Sequence, residues 1–182
     1  MRARLARARY RHVLGVARTA EKLARRHGGS REAMRLAGVL HDIAREWPPE
    51  QLLAYANRHE LAISELELAS PILLHARVGS DIAKREFGVT DPDVLTGIAT
   101  HTVAEPGMSD AQKMMFIADT VEPSRTYKRR AELEALALRS LDEGMLGCVR
   151  ASIEYLLVRG VPIAPQTVEV YNTLVQRYGT QA

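Results

Sequence analysis

Apolar positions recur at helical spacing along nearly the whole chain. Leu5, His12, Val16, Thr19, Ala20 and Leu23 share one face of a stretch from 4 to 26, with Arg and Lys between them, which predicts an amphipathic helix. Gly28-Gly29 ends it. Ser30 then stands as N-cap to a helix over 31 to 43, with Glu32 in its first turn. Trp47-Pro48-Pro49 breaks the pattern, and Pro49-Glu50 opens a short helix through Asn57. Residues 60 to 70 read as a connector with one helical turn at Glu65–Ala69. Pro71 starts a helix to Phe87, closed by Gly88. Asp91-Pro92 couples an N-cap to proline at the first helical position and opens a helix through about Thr102. Beyond the turn Glu105-Pro-Gly-Met108, Ser109 and Gln112 form a capping box for a helix to Val121. Further helices are predicted over 129 to 142, 144 to 159 and 165 to 178. Strand signals are scarce, so the chain reads as all-α, a helical bundle in one domain over 1–182.

Composition narrows this picture. Hydrophobic content of 46% and charged content of 26% are ordinary for a globular domain. With two Phe and one Trp, the core must be aliphatic. The single cysteine, Cys148, excludes an internal disulfide and reads as a buried small hydrophobe. No apolar run reaches the length of a membrane span and no secretory signal is visible, so a cytoplasmic protein is expected.

The net charge of +3 is concentrated at the start, at Arg2, Arg4, Arg7, Arg9 and Arg11. Such a run suits a transit peptide or a nucleic-acid arm, but it flows directly into helix 4 to 26 and no recognition motif accompanies it. A solvated helix face is the expectation, with no nucleic-acid partner. The positive excess favours a polyanionic substrate.

The polar residues that interrupt the apolar faces carry the chemistry. His12 shares a face with Val16. His41-Asp42 follow Val39-Leu40. His75 lies among Leu74, Val78 and Ile82, His101 follows Val94 and Ile98, and Asp119 follows Met114 to Ala118. Any one of these is most simply a satisfied core residue. Burying all six without a common partner would cost several kcal/mol in desolvation. A shared cation meets their needs together, and imidazole with carboxylate suits iron, zinc, manganese or cobalt. Each histidine also has a glycine about one turn away: Gly15, Gly38, Gly79 and Gly97. Mid-helix glycine costs about 1 kcal/mol relative to alanine, so these glycines mark either close helix packing or space beside each ligand. His27 and His59 read as solvated. Arg45 and Arg125 are placed to fork onto phosphate, Lys113 less directly, and Tyr127 and Tyr171 are candidates to stack on a base.

These residues, in this order on helices, resemble the HD-domain metal-dependent phosphohydrolases. Arg9-Tyr-Arg-His-Val-Leu-Gly-Val16, His41-Asp-Ile-Ala-Arg45, His75-Ala-Arg-Val-Gly79, His101-Thr, Pro106-Gly-Met108 and Ile117-Ala-Asp-Thr-Val-Glu-Pro-Ser-Arg125 resemble the YqeK family of symmetrical bis(5′-nucleosyl)-tetraphosphatases across about residues 8–175. The resemblance implies a single HD domain and an iron enzyme with one or two ions, replaceable by manganese or cobalt. It would cleave diadenosine tetraphosphate into two ADP by attack of a metal-bound hydroxide on phosphorus. It implies His12, His41, Asp42 and Asp119 as metal ligands, and His75 and His101 as ligands of a second ion or as phosphate contacts. Asp42, His75 and His101 would then be the catalytic set, and Arg45, His75, His101 and Arg125 the phosphate contacts. The metal chemistry is general: a bound ion lowers the pKa of its water from about 15.7 towards about 7. Other readings stay open: another HD nucleotide phosphohydrolase acting on a nucleoside monophosphate or a guanosine polyphosphate, or a non-catalytic nucleotide sensor. A homodimer is left open as well.

Overall fold

A computed structural model describes residues 7–179. The expectations for Arg2, Arg4 and Leu5, and for the first turn of helix 4 to 26, lie outside the described residues. Among the described residues ten α-helices follow one another: α1 (Arg7–His27), α2 (Arg31–Leu40), α3 (Pro49–Arg58), α4 (Glu65–Ala69), α5 (His75–Phe87), α6 (Pro92–Ala99), α7 (Asp110–Val121), α8 (Arg130–Arg139), α9 (Leu141–Arg159) and α10 (Pro165–Tyr178). Among the described residues there is no strand. The all-α reading holds.

The centre of the bundle is α7, packed against α1, α2, α6, α8 and α9. Met114, Met115, Phe116, Ile117 and Ala118 are buried in succession, as they must be in a helix surrounded on every side. The predicted capping box starts it: Ser109 accepts from the Gln112 amide while Gln112 accepts from the Ser109 amide. Ser30 caps α2 as expected, accepting from the Ala33 amide at 3.1 Å. Gly88 and Gly160 end α5 and α9 in the left-handed conformation, with φ of 67° and 63°. Gly38 lets α2 close onto α1: a β-carbon there would stand 2.5 Å from the Ala17 Cα.

Helix boundaries depart most from the pattern-based ones at four places. α2 stops at Leu40, and residues 41 to 46 continue as tight turns, with the Ile43 amide on the Leu40 carbonyl and the Arg45 amide on the Asp42 carbonyl. Leu40, His41, Asp42, Ile43 and Ala44 are all buried in a row, which suits a segment enclosed by core better than one face of a helix. α6 stops at Ala99, leaving His101 in the turn beyond. Residues 71–74 form a 3₁₀ turn ahead of α5. The break between α8 and α9 falls at Ser140, which is extended and caps α9 through the Glu143 amide.

Candidate metal centre

The six residues singled out in the sequence converge. His12 comes from α1, His41 and Asp42 from the turn after α2, His75 from the start of α5, His101 from the turn after α6, and Asp119 from the last turns of α7. Both carboxylate oxygens of Asp42 are used. Oδ2 lies 3.5 Å from His12 Nε2 and 3.4 Å from His41 Nε2. Oδ1 lies 3.3 Å from His75 Nε2 and 3.9 Å from His101 Nε2. Asp119 Oδ1 stands 3.1 Å from His12 Nε2 and 4.0 Å from His41 Nε2.

The other ring nitrogens fix the tautomers. His41, His75 and His101 each place Nδ1 on the backbone carbonyl three residues earlier: Gly38 at 2.8 Å, Ile72 at 2.5 Å and Ile98 at 2.7 Å. A carbonyl only accepts, so Nδ1 carries the proton and Nε2 presents a lone pair to the cluster. His75 Nε2 and His101 Nε2 then face each other across 3.1 Å with no proton of their own to share. His12 Nε2 and His41 Nε2 are buried without a hydrogen bond of good geometry. Such orphaned lone pairs beside two carboxylates are the donor set of a divalent metal site. Two sets fall within reach of one ion each, His12–His41–Asp42 and Asp42–His75–His101, and Asp42 belongs to both.

Charge is balanced within the cluster. Burial opposes ionisation of Asp42, but His41, with His75 and His101, outweighs it and holds the carboxyl far below the usual carboxylate range. Asp119 is likewise held down against burial, by His12 and Arg125. Without an ion at Nε2, burial pulls His12 down, yet Asp119 at Nε2 and Glu122 at Nδ1 more than offset it and raise the imidazole to about 9, a proton that a bound ion would displace to reach the lone pair. His101 goes the other way, pushed down to about 3 by burial and then by the charge that His41 and His75 carry when protonated.

Two residues escaped the sequence reading. Glu122 is 1% exposed, and its Oε1 lies 3.0 Å from His12 Nδ1. It also accepts from the Ser124 amide at 2.8 Å and from the Ser124 hydroxyl. Carboxylate–imidazole–metal relays of this kind orient a ligand ring and raise its basicity. Arg9 donates from Nη1 to Asp42 Oδ2 at 2.7 Å. Its match to a motif was visible, but its contact was hidden among the other N-terminal arginines.

Arg125 donates to Asp119, from Nη2 to Oδ1 at 2.7 Å and from Nε to the backbone carbonyl at 3.1 Å. The loop carrying it closes the end of α7. Tyr127 Oη donates to the Thr120 carbonyl at 3.0 Å and Arg130 Nη1 to the Val121 carbonyl at 2.9 Å, so three terminal carbonyls that lack helical partners are satisfied by side chains. Solvent reaches the cluster on this side: the side chains of Arg9, Asp119 and Arg125 are 28%, 25% and 40% exposed, against 0% for His41 and 3% for Asp42.

Several of the remaining residues have partners of their own. Arg45 is half-buried, in the tight turns that carry His41 and Asp42. Lys113 pairs with Asp142 at 2.7 Å instead. His27 is half-buried, its Nε2 2.6 Å from the Ala137 carbonyl. His59 packs against the Tyr55 ring, centroids 4.1 Å apart, 4.0 Å from Asp81. Tyr171 packs on the core with Arg150 over its ring. The four glycines serve packing. Gly38 meets the Ala17 backbone, Gly97 meets Met115, and Gly79 meets the His41 carbonyl, while Gly15 leaves room for the Glu122 carboxylate.

Comparison with known proteins agrees with this geometry. Residues 9–143 match the HD domain. The chain is 34% identical over 167 residues to a symmetrical bis(5′-nucleosyl)-tetraphosphatase of Bacillus subtilis, covering 92% of this chain and 89% of that one. It is 32% identical over 166 residues to the Staphylococcus aureus protein of the same description, covering 90% and 85%. A crystal structure from Clostridium acetobutylicum, described as a predicted HD superfamily hydrolase involved in NAD metabolism, superposes with a TM-score of 0.90 at 32% identity, over 96% of this chain and 93% of that one.

Proposed function

This chain belongs to the HD-domain family, among the symmetrical bis(5′-nucleosyl)-tetraphosphatases, and on that premise we propose that it hydrolyses diadenosine tetraphosphate to two ADP as a single HD domain. Water adds its oxygen to one of the two central phosphorus atoms, and the bond from that phosphorus to the central bridging oxygen breaks. The proposed cofactor is iron, with manganese or cobalt as substitutes, since all three accept mixed imidazole and carboxylate ligands. The observation that carries the reading is the convergence of imidazole lone pairs on the two oxygens of Asp42.

The chemistry that divalent ions supply in such a site is acidification of water and neutralisation of a phosphate oxygen. The chain's own residues do the rest. His12, His41, Asp42 and Asp119 hold the first ion. His75 and His101, with Asp42 between, hold a second, a role supported by their facing nitrogens; phosphate contact is the other role for the pair. With a single ion bound, Asp42 would instead orient the attacking water, and in either case Glu122 keeps the His12 ring turned towards the centre. Arg125, exposed at the open side, receives substrate phosphate. Arg45, three residues past Asp42, is a further proposed phosphate contact. The cytoplasm is the proposed setting, in keeping with one fully buried cysteine and no helix among the described residues long and apolar enough to cross a membrane.

The test is anaerobic purification with metal analysis, followed by identification of the nucleotides released from diadenosine tetraphosphate. ADP as the sole product, formed only by metal-loaded protein, is expected. Nucleotide binding without turnover in metal-replete protein would mark a sensor instead.

A further inference from the structure

We infer that the outer face of α1 is a second anion site, a row of unpaired arginines that takes the phosphate backbone of a nucleic acid without reading its sequence. Arg7, Arg11, Arg18 and Arg25 are all exposed. The last three are seven residues apart, two helical turns less about 20°, so they line up almost straight along the helix. Arg7 stands one turn before Arg11. At about 1.5 Å of rise per residue the row is about 27 Å long. None of the four makes a hydrogen bond or ion pair with another described residue. The one carboxylate on α1, Glu21, accepts from Arg31 at 2.8 Å and from Arg35 at 3.5 Å, both on α2. Glu134, which reaches α1 from α8, accepts from Lys22 and Arg130, each at 2.8 Å. Both carboxylates are already shared between two cations, so the row keeps its charge for a partner outside the chain.

The substrate at the metal centre is not that partner. All four arginines leave α1 about half a turn round from Arg9, whose guanidinium reaches Asp42. A lipid surface fits poorly as well. A helix lying on a membrane inserts its apolar face. That face of α1, with Val13, Val16, Ala20 and Leu23, is buried in the core, and no large hydrophobic side chain is exposed on this helix. A nucleic acid needs no insertion. One strand of a duplex carries a phosphate about every 3.4 Å of axis, so about 27 Å spans about eight base pairs. Guanidinium forks suit phosphate oxygens, and such contacts fix position without base preference. The four charges exceed the net +3 of the whole chain, so the remainder is close to neutral and the attraction is confined to one face. The solvated face expected from the sequence is then a docking face.

The experiment is fluorescence anisotropy of the full chain with a labelled duplex DNA and a labelled single-stranded RNA, from about 50 to about 200 mM salt. Wild type should bind both, with Kd on the order of 10⁻⁴–10⁻⁶ M near physiological salt. On the duplex, log K should fall with log salt at a slope of about −3.6, for four phosphates engaged. Arg18→Ala/Arg25→Ala should flatten that slope by about 1.8 while turnover of diadenosine tetraphosphate stays at the wild-type rate. Alanine favours helix, and Arg18→Gln, expected to flatten the slope by about 0.9, serves should the double variant misfold by circular dichroism. Arg85→Ala, whose guanidinium is held by Asp81, should bind as wild type does. No binding by wild type at the lowest salt would overturn the inference, and so would an unchanged slope in the double variant. Vesicles of anionic lipid that wild type binds and the double variant does not, with nucleic-acid binding equal in both, would assign the row to a membrane instead.

Discussion

Glu122 Oε1 stands 3.0 Å from His12 Nδ1, joining residues 110 positions apart in the chain. Glu122 is not itself a proposed ligand, yet it decides which way the His12 ring points. Glu122→Ala should therefore weaken metal binding by roughly 10–100-fold while every proposed ligand remains, as measured by metal titration. Unchanged affinity would remove Glu122 from the site.

Gly15→Ala reaches the same carboxylate from the other side. The added β-carbon would collide with Glu122 Oε2, so this variant should also lose metal affinity. Gly38→Ala is the contrasting case. It pushes against the Ala17 backbone, which cannot turn aside, and overpacking of this kind costs about 1–3 kcal/mol. Chemical denaturation should show the larger stability loss for Gly38→Ala, and metal titration the larger affinity loss for Gly15→Ala.

Removing metal exposes the cost of the facing imidazoles. At about 1,000 times Kd, an ion stabilises the folded state by about 4.1 kcal/mol, which for a chain of this size corresponds to a Tm rise on the order of 10 °C. His75→Ala or His101→Ala should lower the metal stoichiometry from two to one. His41→Ala or Asp42→Ala should remove metal and turnover together while the protein stays helical by circular dichroism. Turnover in either of the last two would defeat the ligand assignment.

Cys148 is fully buried, and burial pushes its thiol up to about 12. The thiol therefore stays protonated through neutral and mildly alkaline pH, where alkylation needs thiolate. Native protein should resist iodoacetamide at pH 8 and react only as it unfolds, so the labelling rate should follow denaturant concentration. Rapid labelling of native protein would contradict this burial.

Much of the centre was legible because six histidines and aspartates on apolar helix faces, each alone most simply a satisfied core residue, can share one partner that meets the needs of all. The limits were physical too. The helical period ran on through His41-Asp42 and His101 because their burial mimics a core position, so the ends at Leu40 and Ala99 were set too late. Glu122, just ahead of Pro123, and Arg9, among other arginines, have the sequence environment of surface charges. Only the meeting of α1 with α7 and with the turn after α2 brings them in. His27 and His59 differ for the same reason: Ala137 and Asp81 reach them through packing that no local pattern announces, although Tyr55, one turn before His59 on α3, is a local neighbour.

The stretch from Glu122 to Arg130 has two duties at once. It ties down the free carbonyls that end α7, and it hangs Arg125 over the mouth of the centre. Residue count there is consequently under tight constraint: adding or deleting a single position would slip the stitches on the helix that bears Asp119, so the reach proposed for Arg125 could not be lengthened without loosening the hold proposed for Asp119.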